Sequence, residues 1–327
     1  RHLYPGGAAR LHMLRKELGD DAFFAGVRTS LKRVAHKVVE TAVFRHCRVE
    51  ASGRSLGRWF DQWIRSKGFP KLKVAYAWDG KQSQATFTIE QTQLDEKEEV
   101  PVFRMPLDIG WTIDGVPHVR TVELERAKHV VVVPMAKAPD AVRIDPLGRA
   151  VIKLELNPGE TLLRRQLVEA PDVTGRILAG NELCKTGRRK NIEAVRDAYR
   201  NEAFWGVRVR FAEALAGAET QAAVEALAAL IADEQDGLVL EPLLRQAAKL
   251  RAPEIRRAVE ARLDDGIGLY RATQAAYEVL GAQRDEAPYG LLAEAAGVDD
   301  RYGFEQSGAF RALAGTRRGE ALDVLLD

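Results

Sequence analysis

The chain contains very little cysteine, and this excludes a disulfide-stabilised architecture. Cys47 and Cys184 are its only cysteines among 327 residues, and they form no Cys-x-x-Cys pair. Disulfide frameworks belong to small secreted domains, whereas two widely separated thiols are typical of proteins kept in a reducing compartment. We therefore expect a cytoplasmic protein, with the bacterial cytoplasm as its natural home, in which both thiols are buried or inert.

Long apolar runs and an excess of charge of one sign are also missing. No run approaches the ~20 apolar residues that a membrane-spanning helix needs, so we expect no membrane partner. Forty-nine basic and 47 acidic side chains leave a formal charge of +2, which argues against a nucleic-acid partner. The densest basic cluster, Arg188-Arg189-Lys190, is short. Because charge runs are usually solvated, it predicts an exposed helix start.

Self-contained catalytic motifs are absent as well. The chain has no His-Glu-x-x-His, the helical spacing that directs two imidazoles at one zinc ion. Its six histidines are scattered without ligand spacing. It also lacks the Gly-x-Ser-x-Gly nucleophile elbow and the Gly-x-x-x-x-Gly-Lys phosphate loop. The sequence therefore predicts no complete active site of these classes.

The residues that are present divide the chain into three regions, since 327 residues exceed one typical domain. Over residues 1–69 apolar side chains recur every three or four positions, which predicts helices. Asp20 and Thr41 are the expected N-caps of the second and third helices. Ser55 is expected to open a fourth helix with a buried aromatic face, and Gly68 to end it.

Residues 70–157 change to a period of two, which indicates strands. Leu72, Val74 and Tyr76 alternate with polar residues, and Asp79-Gly80 is a typical hairpin turn. About seven such segments with closely spaced turn residues predict a small β-sandwich.

Residues 158–327 are rich in alanine and leucine and return to helical periodicity. A loose repeat begins at Phe211, Leu244, Ala275 and Phe310, at spacings of 31 to 35 residues. Helical hairpins with such a period stack into a curved superhelix, as in HEAT-like repeats. A plain helical bundle is the competing interpretation.

A set of local motifs lies near the start of the chain. It consists of Tyr4 ahead of a small-residue helix start, followed by residues 11–15, 18–20, 22–24, 50–56, 60–63 and 68–72. Over about residues 1–78 these motifs resemble the closing part of the catalytic domain in the aminopeptidase N family of zinc metallopeptidases, which includes the puromycin-sensitive aminopeptidase-like enzymes. One departure is Gly6, where the family commonly has lysine.

The resemblance implies an α+β multidomain fold. Residues 1–69 would be the helical end of a thermolysin-like catalytic domain, 70–157 a β-sandwich, and 158–327 an α-helical HEAT-like superhelix. It also implies zinc-dependent hydrolysis of N-terminal residues from peptide substrates, with the zinc ligands upstream of this chain. One catalytic group is assigned to the chain itself, the phenol of Tyr4, which would donate a hydrogen bond to the developing oxyanion. By itself the chain is expected to be inactive and to bind no zinc.

Two other functions fit the same residues. One is a non-catalytic, aminopeptidase-like scaffold whose zinc ligands have been lost, and the other is an interaction module with a protein partner on its helical repeats. Arg208, Arg210 and Arg271 suit the C-terminal carboxylate of a peptide, but their simpler interpretation is as solvated helix faces. The sequence does not choose among the many arginines.

Overall fold

The structure is a computed structural model that describes residues 3–95, 97, 99–284 and 287–326. It is mixed α/β, with helices at both ends of the chain and two small sheets between them, as the sequence predicted in outline. The chain forms two compact units, Arg1–Gly159 (unit 1) and Glu160–Asp327 (unit 2). The finer division at residues 69 and 157 stays a prediction.

Unit 1 begins with four α-helices and one π-helical turn. They are α1 (Leu3–Leu18), α2 (Asp20–Arg33), α3 (Thr41–Ser52), α4 (Gly57–Phe60) and the π-turn (Asp61–Arg65). The first turn of α1 tolerates Pro5, because the first four N–H groups of a helix have no intrahelical acceptor. Leu14, Phe23, Leu56 and Phe60 form a buried cluster among these helices.

The predicted N-caps of the second and third helices were each wrong by one residue. Gly19 and Glu40 occupy the N-cap positions, and Asp20 and Thr41 are the first helical residues. Gly19 takes φ +81°, a conformation that a residue with a side chain adopts only with strain. The Asp20 carboxylate accepts hydrogen bonds from Arg15 at 2.7 and 2.6 Å and so does not cap its own helix.

The predicted fourth helix was wrong in its start and in its regularity. It begins at Gly57 instead of Ser55, and at Asp61 it changes into a π-turn, in which Ser66 N–H bonds the Asp61 carbonyl at 2.9 Å. The Trp63 carbonyl accepts a hydrogen bond from Arg10 Nε at 2.5 Å. This tertiary bond supports the wider turn, and π-turns recur at functional sites.

A buried arginine that has no carboxylate partner among the described residues joins α2 to α3. Arg48 is 1% exposed, and its Nη1 donates to the Gly26 carbonyl at 2.5 Å and to Ser30 Oγ at 3.2 Å. Its Cζ lies 3.8 Å from the centre of the Phe44 ring, a cation–π contact. Burial lowers the pKa of Arg48. Gly26 makes room for it, because an added Cβ would lie 2.6 Å from Arg48 Cδ.

Seven strands follow in unit 1, in two sheets. They are β1 (Lys71–Asp79), β2 (Gln84–Gln91), β3 (Met105–Ile113), β4 (Val116–Leu124), β5 (Lys128–Pro134), β6 (Ala141–Ile144) and β7 (Lys153–Leu156). The first sheet has the order β5-β2-β1-β7 and the second the order β4-β3-β6. All pairs are antiparallel except β1 with β7. The predicted alternation is present, since Leu72, Val74, Phe87 and Ile89 are buried.

Among the described residues, unit 2 is entirely helical. Its helices are α5 (Glu160–Glu169), α6 (Val173–Lys185), α7 (Arg189–Asn201), α8 (Trp205–Gly217), α9 (Gln221–Asp233), α10 (Gly237–Ala247), α11 (Pro253–Asp264), α12 (Tyr270–Ala282), α13 (Tyr289–Ala296), α14 (Phe304–Thr316) and α15 (Ala321–Leu326). Helices α6, α8, α10, α12 and α14 pack side by side in that order, as do α5, α7, α9 and α11. The repeated segments found in the sequence all fall in α8, α10, α12 and α14.

Ion pairs recur with the helical repeat. Arg176 Nε bonds Glu202 at 2.6 Å, and Arg208 Nη1 bonds Glu234 at 2.9 Å. The partners are 26 residues apart in each pair, and the second pair lies 32 residues after the first. The hydroxyl of Tyr199 also donates to Glu234, at 2.6 Å. Each pair ties the start of one helix to the connection after the next, so successive hairpins are joined in the same way.

Candidate functional site

Tyr4 lies in the first turn of α1 and is 86% exposed. The sequence placed it just ahead of this helix. Among the described residues no side chain bonds its hydroxyl, which leaves one donor and the oxygen's acceptor capacity open to a ligand. Tyr4, Gly7 and Leu11 share one face of the helix, because residues three and seven apart in a helix lie nearly above one another.

Arg10 fixes the start of α1 against the π-turn. Its Nη1 donates to the Gly6 carbonyl at 3.2 Å, while its Nε donates to the Trp63 carbonyl at 2.5 Å. The bond to Gly6 holds the helical turn that carries Tyr4. Gly6 is the position that departs from the family pattern, and an added Cβ there would lie 3.1 Å from Arg10 Nη1. A side chain at residue 6 would therefore press on the guanidinium that orients this turn.

An apolar cavity of about 280 Å³ lies beside the same helix face. Gly7 and Leu11 line it from α1, Phe44 from α3, Trp59 from α4, and Ile64 from the π-turn. Leu11 and Ile64 remain 42% and 43% exposed, so the cavity is open. The residues that line the cavity do not include Tyr4. A hydrogen-bond donor on a helix face that also borders an apolar cavity can bond an oxygen of a ligand whose apolar side chain fills the cavity.

A second cavity in unit 1, of about 520 Å³, was not predicted from the sequence. Asp108 of β3 lines it and is 4% exposed. Its Oδ1 accepts from Thr121 at 2.6 Å, and its Oδ2 lies 3.4 Å from Arg149. Asp145 is close by and accepts the backbone N–H groups of Arg149 and Ala150. Burial raises the pKa of Asp145, and the nearby Asp108 carboxylate adds to this shift.

The sequence pattern did not point to this second cavity, because Asp108 lies between Leu107 and Ile109, where strand alternation predicts exposure, and yet it is buried. Asp108 bonds Thr121 of the neighbouring strand and pairs with Arg149, while Asp145 bonds the backbone of its own loop, and both are structural uses. Trp59 lines both cavities.

No metal site is formed by the part of the chain that the structure describes. It contains no group of three or more His, Cys, Asp or Glu side chains arranged to hold an ion. These residues therefore do not fit a zinc ion. Nor does any described helix have the length and apolar content to cross a membrane.

The structure gives different surroundings to the three arginines that the sequence offered for a carboxylate. Arg208 bonds both Glu234 and Asp236 and is half-buried, so its charge is already neutralised. Arg210 pairs with Glu213 one helical turn away. Arg271 is exposed and lies over the ring of Phe304, at 5.5 Å from its centre. Of the three, Arg271 alone keeps a guanidinium without a carboxylate partner among the described residues.

The two cysteines are both reduced and buried. Burial raises the pKa of the Cys184 thiol to about 12, so it stays protonated at neutral pH. Cys47 is fully buried and contacts Arg33. Neither thiol is placed to act as a nucleophile, as the sequence led us to expect.

Comparison with known proteins gives partial similarities to aminopeptidases. No protein-family model matches the chain. Aminopeptidase N of Lactococcus lactis subsp. lactis is 25% identical over 118 residues, which are 35% of this chain and 13% of that protein. Aminopeptidase 2 of Candida albicans is 31% identical over 104 residues, which are 31% of this chain and 11% of that protein. The matched segments thus span about an eighth of these relatives.

A solved structure superposes on nearly the whole chain with a low TM-score. The crystal structure of Legionella pneumophila aminopeptidase A in complex with aspartic acid superposes with a TM-score of 0.44 and 15% identity, covering 97% of this chain and 35% of that one. The two sequence matches establish a relationship to aminopeptidases over about a third of the chain.

Proposed function

We propose that this chain is the C-terminal part of a zinc-dependent aminopeptidase of the aminopeptidase N family, which removes N-terminal residues from peptides in the cytoplasm. The observation that carries the proposal is the exposed phenol of Tyr4 on the α1 face whose residues Gly7 and Leu11 line the apolar cavity. The partial similarity to two aminopeptidases supports it. In this proposal the two sheets form a β-sandwich, and unit 2 is a HEAT-like superhelix.

The chemistry assigned to this chain is one hydrogen bond. When the carbonyl of the first peptide bond becomes tetrahedral, its oxygen gains negative charge, and the Tyr4 hydroxyl donates to that oxygen. A preorganised donor of this kind contributes about 2.7–4 kcal/mol to the transition state. Arg10 acts on Tyr4 only through the backbone, since it holds the Gly6 carbonyl of the same turn.

The proposal requires zinc ligands from polypeptide other than the described residues, because these form no metal site. The zinc would polarise the scissile carbonyl and activate water. No residue of this chain is assigned to holding the zinc ion. By itself the chain is expected neither to bind zinc stoichiometrically nor to cleave peptides.

The test is Tyr4→Phe in the full-length protein, with an aminoacyl nitroanilide as substrate. We expect kcat to fall by about 10²–10³-fold while KM changes only a few-fold, because the lost bond forms in the transition state. Tyr302→Phe is the matched control, as this tyrosine is also exposed, at 58%, but lies in unit 2. A Tyr4→Phe enzyme of near-normal kcat would remove the catalytic assignment.

Metal analysis of the full-length protein separates the enzyme from the non-catalytic scaffold. One zinc per chain together with release of nitroaniline supports the proposal. A protein with neither bound zinc nor turnover would instead be the non-catalytic scaffold. Unit 2 would then be the part that binds a partner.

A further inference from the structure

One edge of unit 2 collects the N-terminal ends of five helices. Connections of three to seven residues join the successive helices up to α14, and such short connections reverse the chain direction. Helices α6, α8, α10, α12 and α14 therefore run in the same direction and, because they pack side by side, start at the same edge.

An apolar side chain stands exposed in the first two positions of α6, α8, α10 and α12 and two residues before α14. We call the five residues the apolar row: Val173, Trp205, Leu238, Tyr270 and Tyr302. Successive members are 32 or 33 residues apart, and their exposed fractions lie between 37% and 63%. Single exposed apolar residues are ordinary, but a contiguous exposed set marks an interaction surface.

Two members of the apolar row are in direct contact, and a neighbouring pair of repeats touches beside the row. The rings of Tyr270 and Tyr302 contact edge to face, with their centres 5.2 Å apart. The side chain of Leu269 lies against the start of α10, where an added Cβ on Gly237 would come within 2.2 Å of Leu269 Cδ1. The glycine thus lets one repeat reach over its neighbour, and the apolar surface continues between them.

This edge is also acidic. The five connections that precede these helices carry seven carboxylates and one arginine, Arg301. At the opposite edge the described residues of the connections from α6 to α15 carry six basic and two acidic side chains. Arg176 and Arg208 neutralise Glu202 and Glu234. Arg208 also pairs with Asp236, and Asp300 accepts the backbone N–H groups of Phe304 and Gln306. Asp265 and Asp299 are exposed and form no ion pair among the described residues, and Arg271 and Arg301 are the cations beside the row.

We propose that the apolar row binds a basic, extended segment of a partner protein. Helices that pack side by side are about 8–10 Å apart, and three residues of a polyproline II segment advance about 9.3 Å. An apolar side chain at every third position would therefore meet one member of the row after another. Lysine or arginine at the intervening positions would face the carboxylates. The apolar row would bind an internal segment of the partner, for which a free N-terminus is not needed. The proposal is therefore independent of the aminopeptidase function.

The probe is a synthetic peptide of four Leu-Lys-Lys repeats, closed by a final leucine and blocked by an acetyl group and an amide. Blocked ends prevent it from being read as an aminopeptidase substrate. Titration of the peptide into the whole chain, followed by isothermal titration calorimetry, should give a Kd below about 100 μM, and the affinity should fall as salt screens the charges. Peptides with Leu-Glu-Glu repeats or with leucine at every second position are the controls for charge and spacing, and both should bind at least tenfold more weakly.

Paired substitutions in the row provide the second measurement. Trp205→Ser with Tyr270→Ser should weaken binding at least tenfold, while Val168→Ser, at a residue 72% exposed in α5, should leave it unchanged. Asp265→Asn with Asp299→Asn should reduce the salt dependence. The matched control is Glu219→Gln, in a connection at the opposite edge.

Several results would overturn the proposal. One is a Kd above about 1 mM for the basic peptide at low salt. Others are that the acidic peptide binds equally well, that the row variants bind as tightly as the wild type, or that only peptides with a free amino terminus bind. Sedimentation showing that a second copy of the chain covers the row would also overturn it. If a row variant loses its circular dichroism spectrum, photo-crosslinking of the wild-type chain decides. Cross-links at α8 and α12 support the proposal, and cross-links confined to unit 1 refute it.

Discussion

The close packing of α12 against α14 predicts that one added methyl group will destabilise unit 2. An added Cβ on Gly281 of α12 would lie 2.4 Å from the Ala312 carbonyl oxygen of α14, whereas ordinary contact is 3.4–4 Å. The two helices would have to separate by about 1 Å, and backbone atoms cannot rotate away as a flexible side chain can. Overpacking typically costs about 1–3 kcal/mol, and alanine returns at most about 1 kcal/mol through helix propensity.

We therefore expect Gly281→Ala to lower the free energy of unfolding by about 1–2 kcal/mol. The matched control is Gly290→Ala in α13, where an added Cβ meets nothing within 4 Å. That variant should gain about 0.4–1 kcal/mol, because alanine restricts the unfolded chain.

The measurement is urea unfolding followed by circular dichroism, with hydrogen exchange to locate the effect. Gly281→Ala should speed amide exchange in α12 and α14, and Gly290→Ala should not. A Gly281→Ala chain as stable as the wild type, with unchanged exchange in both helices, would show that the seam between them is not closely packed.

Three further predictions concern buried groups. Burial raises the pKa of Cys184 to about 12, so the unfolded thiol releases its proton at lower pH than the folded one. Stability should therefore fall by about 1.4 kcal/mol per pH unit more in the wild type than in Cys184→Ala between roughly pH 9 and 12, and equal slopes in urea titrations would contradict this. Gly26→Ala should cost about 1–3 kcal/mol by displacing Arg48, and a normal melting temperature would argue against that contact. Tyr199→Phe should cost about 1.5–3 kcal/mol, because Glu234 loses a buried donor. An unchanged urea midpoint would refute the importance of that bond.

Local periodicity was enough to predict the types of the elements. The change from three-and-four spacing to alternation near Lys71, and the return to helix after Gly159, depend on which faces of short segments are buried. The repeat beginning at Phe211 was visible for the same reason, since each helical hairpin must bury its own stripe. Both features follow from residues that are neighbours in the sequence, so they could be predicted from it.

What the sequence did not predict depends on contacts between distant residues. The π-turn at Asp61 is supported by Arg10, which is 53 residues away from its acceptor at Trp63. Arg48 is polar by type but buried by its bonds to α2. Arg208 was offered as a free cation, yet its partner Glu234 lies 26 residues further on. A pattern within one helix contains none of these pairings.

The candidate site shows the same limit. The resemblance singled out Tyr4, but it gave no information on the hollow beside it, which is lined by residues from α1, α3, α4 and the π-turn. Those elements are separated by up to several tens of residues in the sequence. The place of a catalytic group can be recognised from a motif, whereas the shape around it follows only from tertiary packing.

The indole of Trp59 belongs to the walls of both hollows in unit 1. A ligand that moved this ring in one cavity would also change the shape of the other. Thermodynamic linkage would make such a coupling reciprocal, so that each ligand would change the affinity of the other by the same factor. The Trp59 ring would therefore couple the two cavities across the helical part of unit 1.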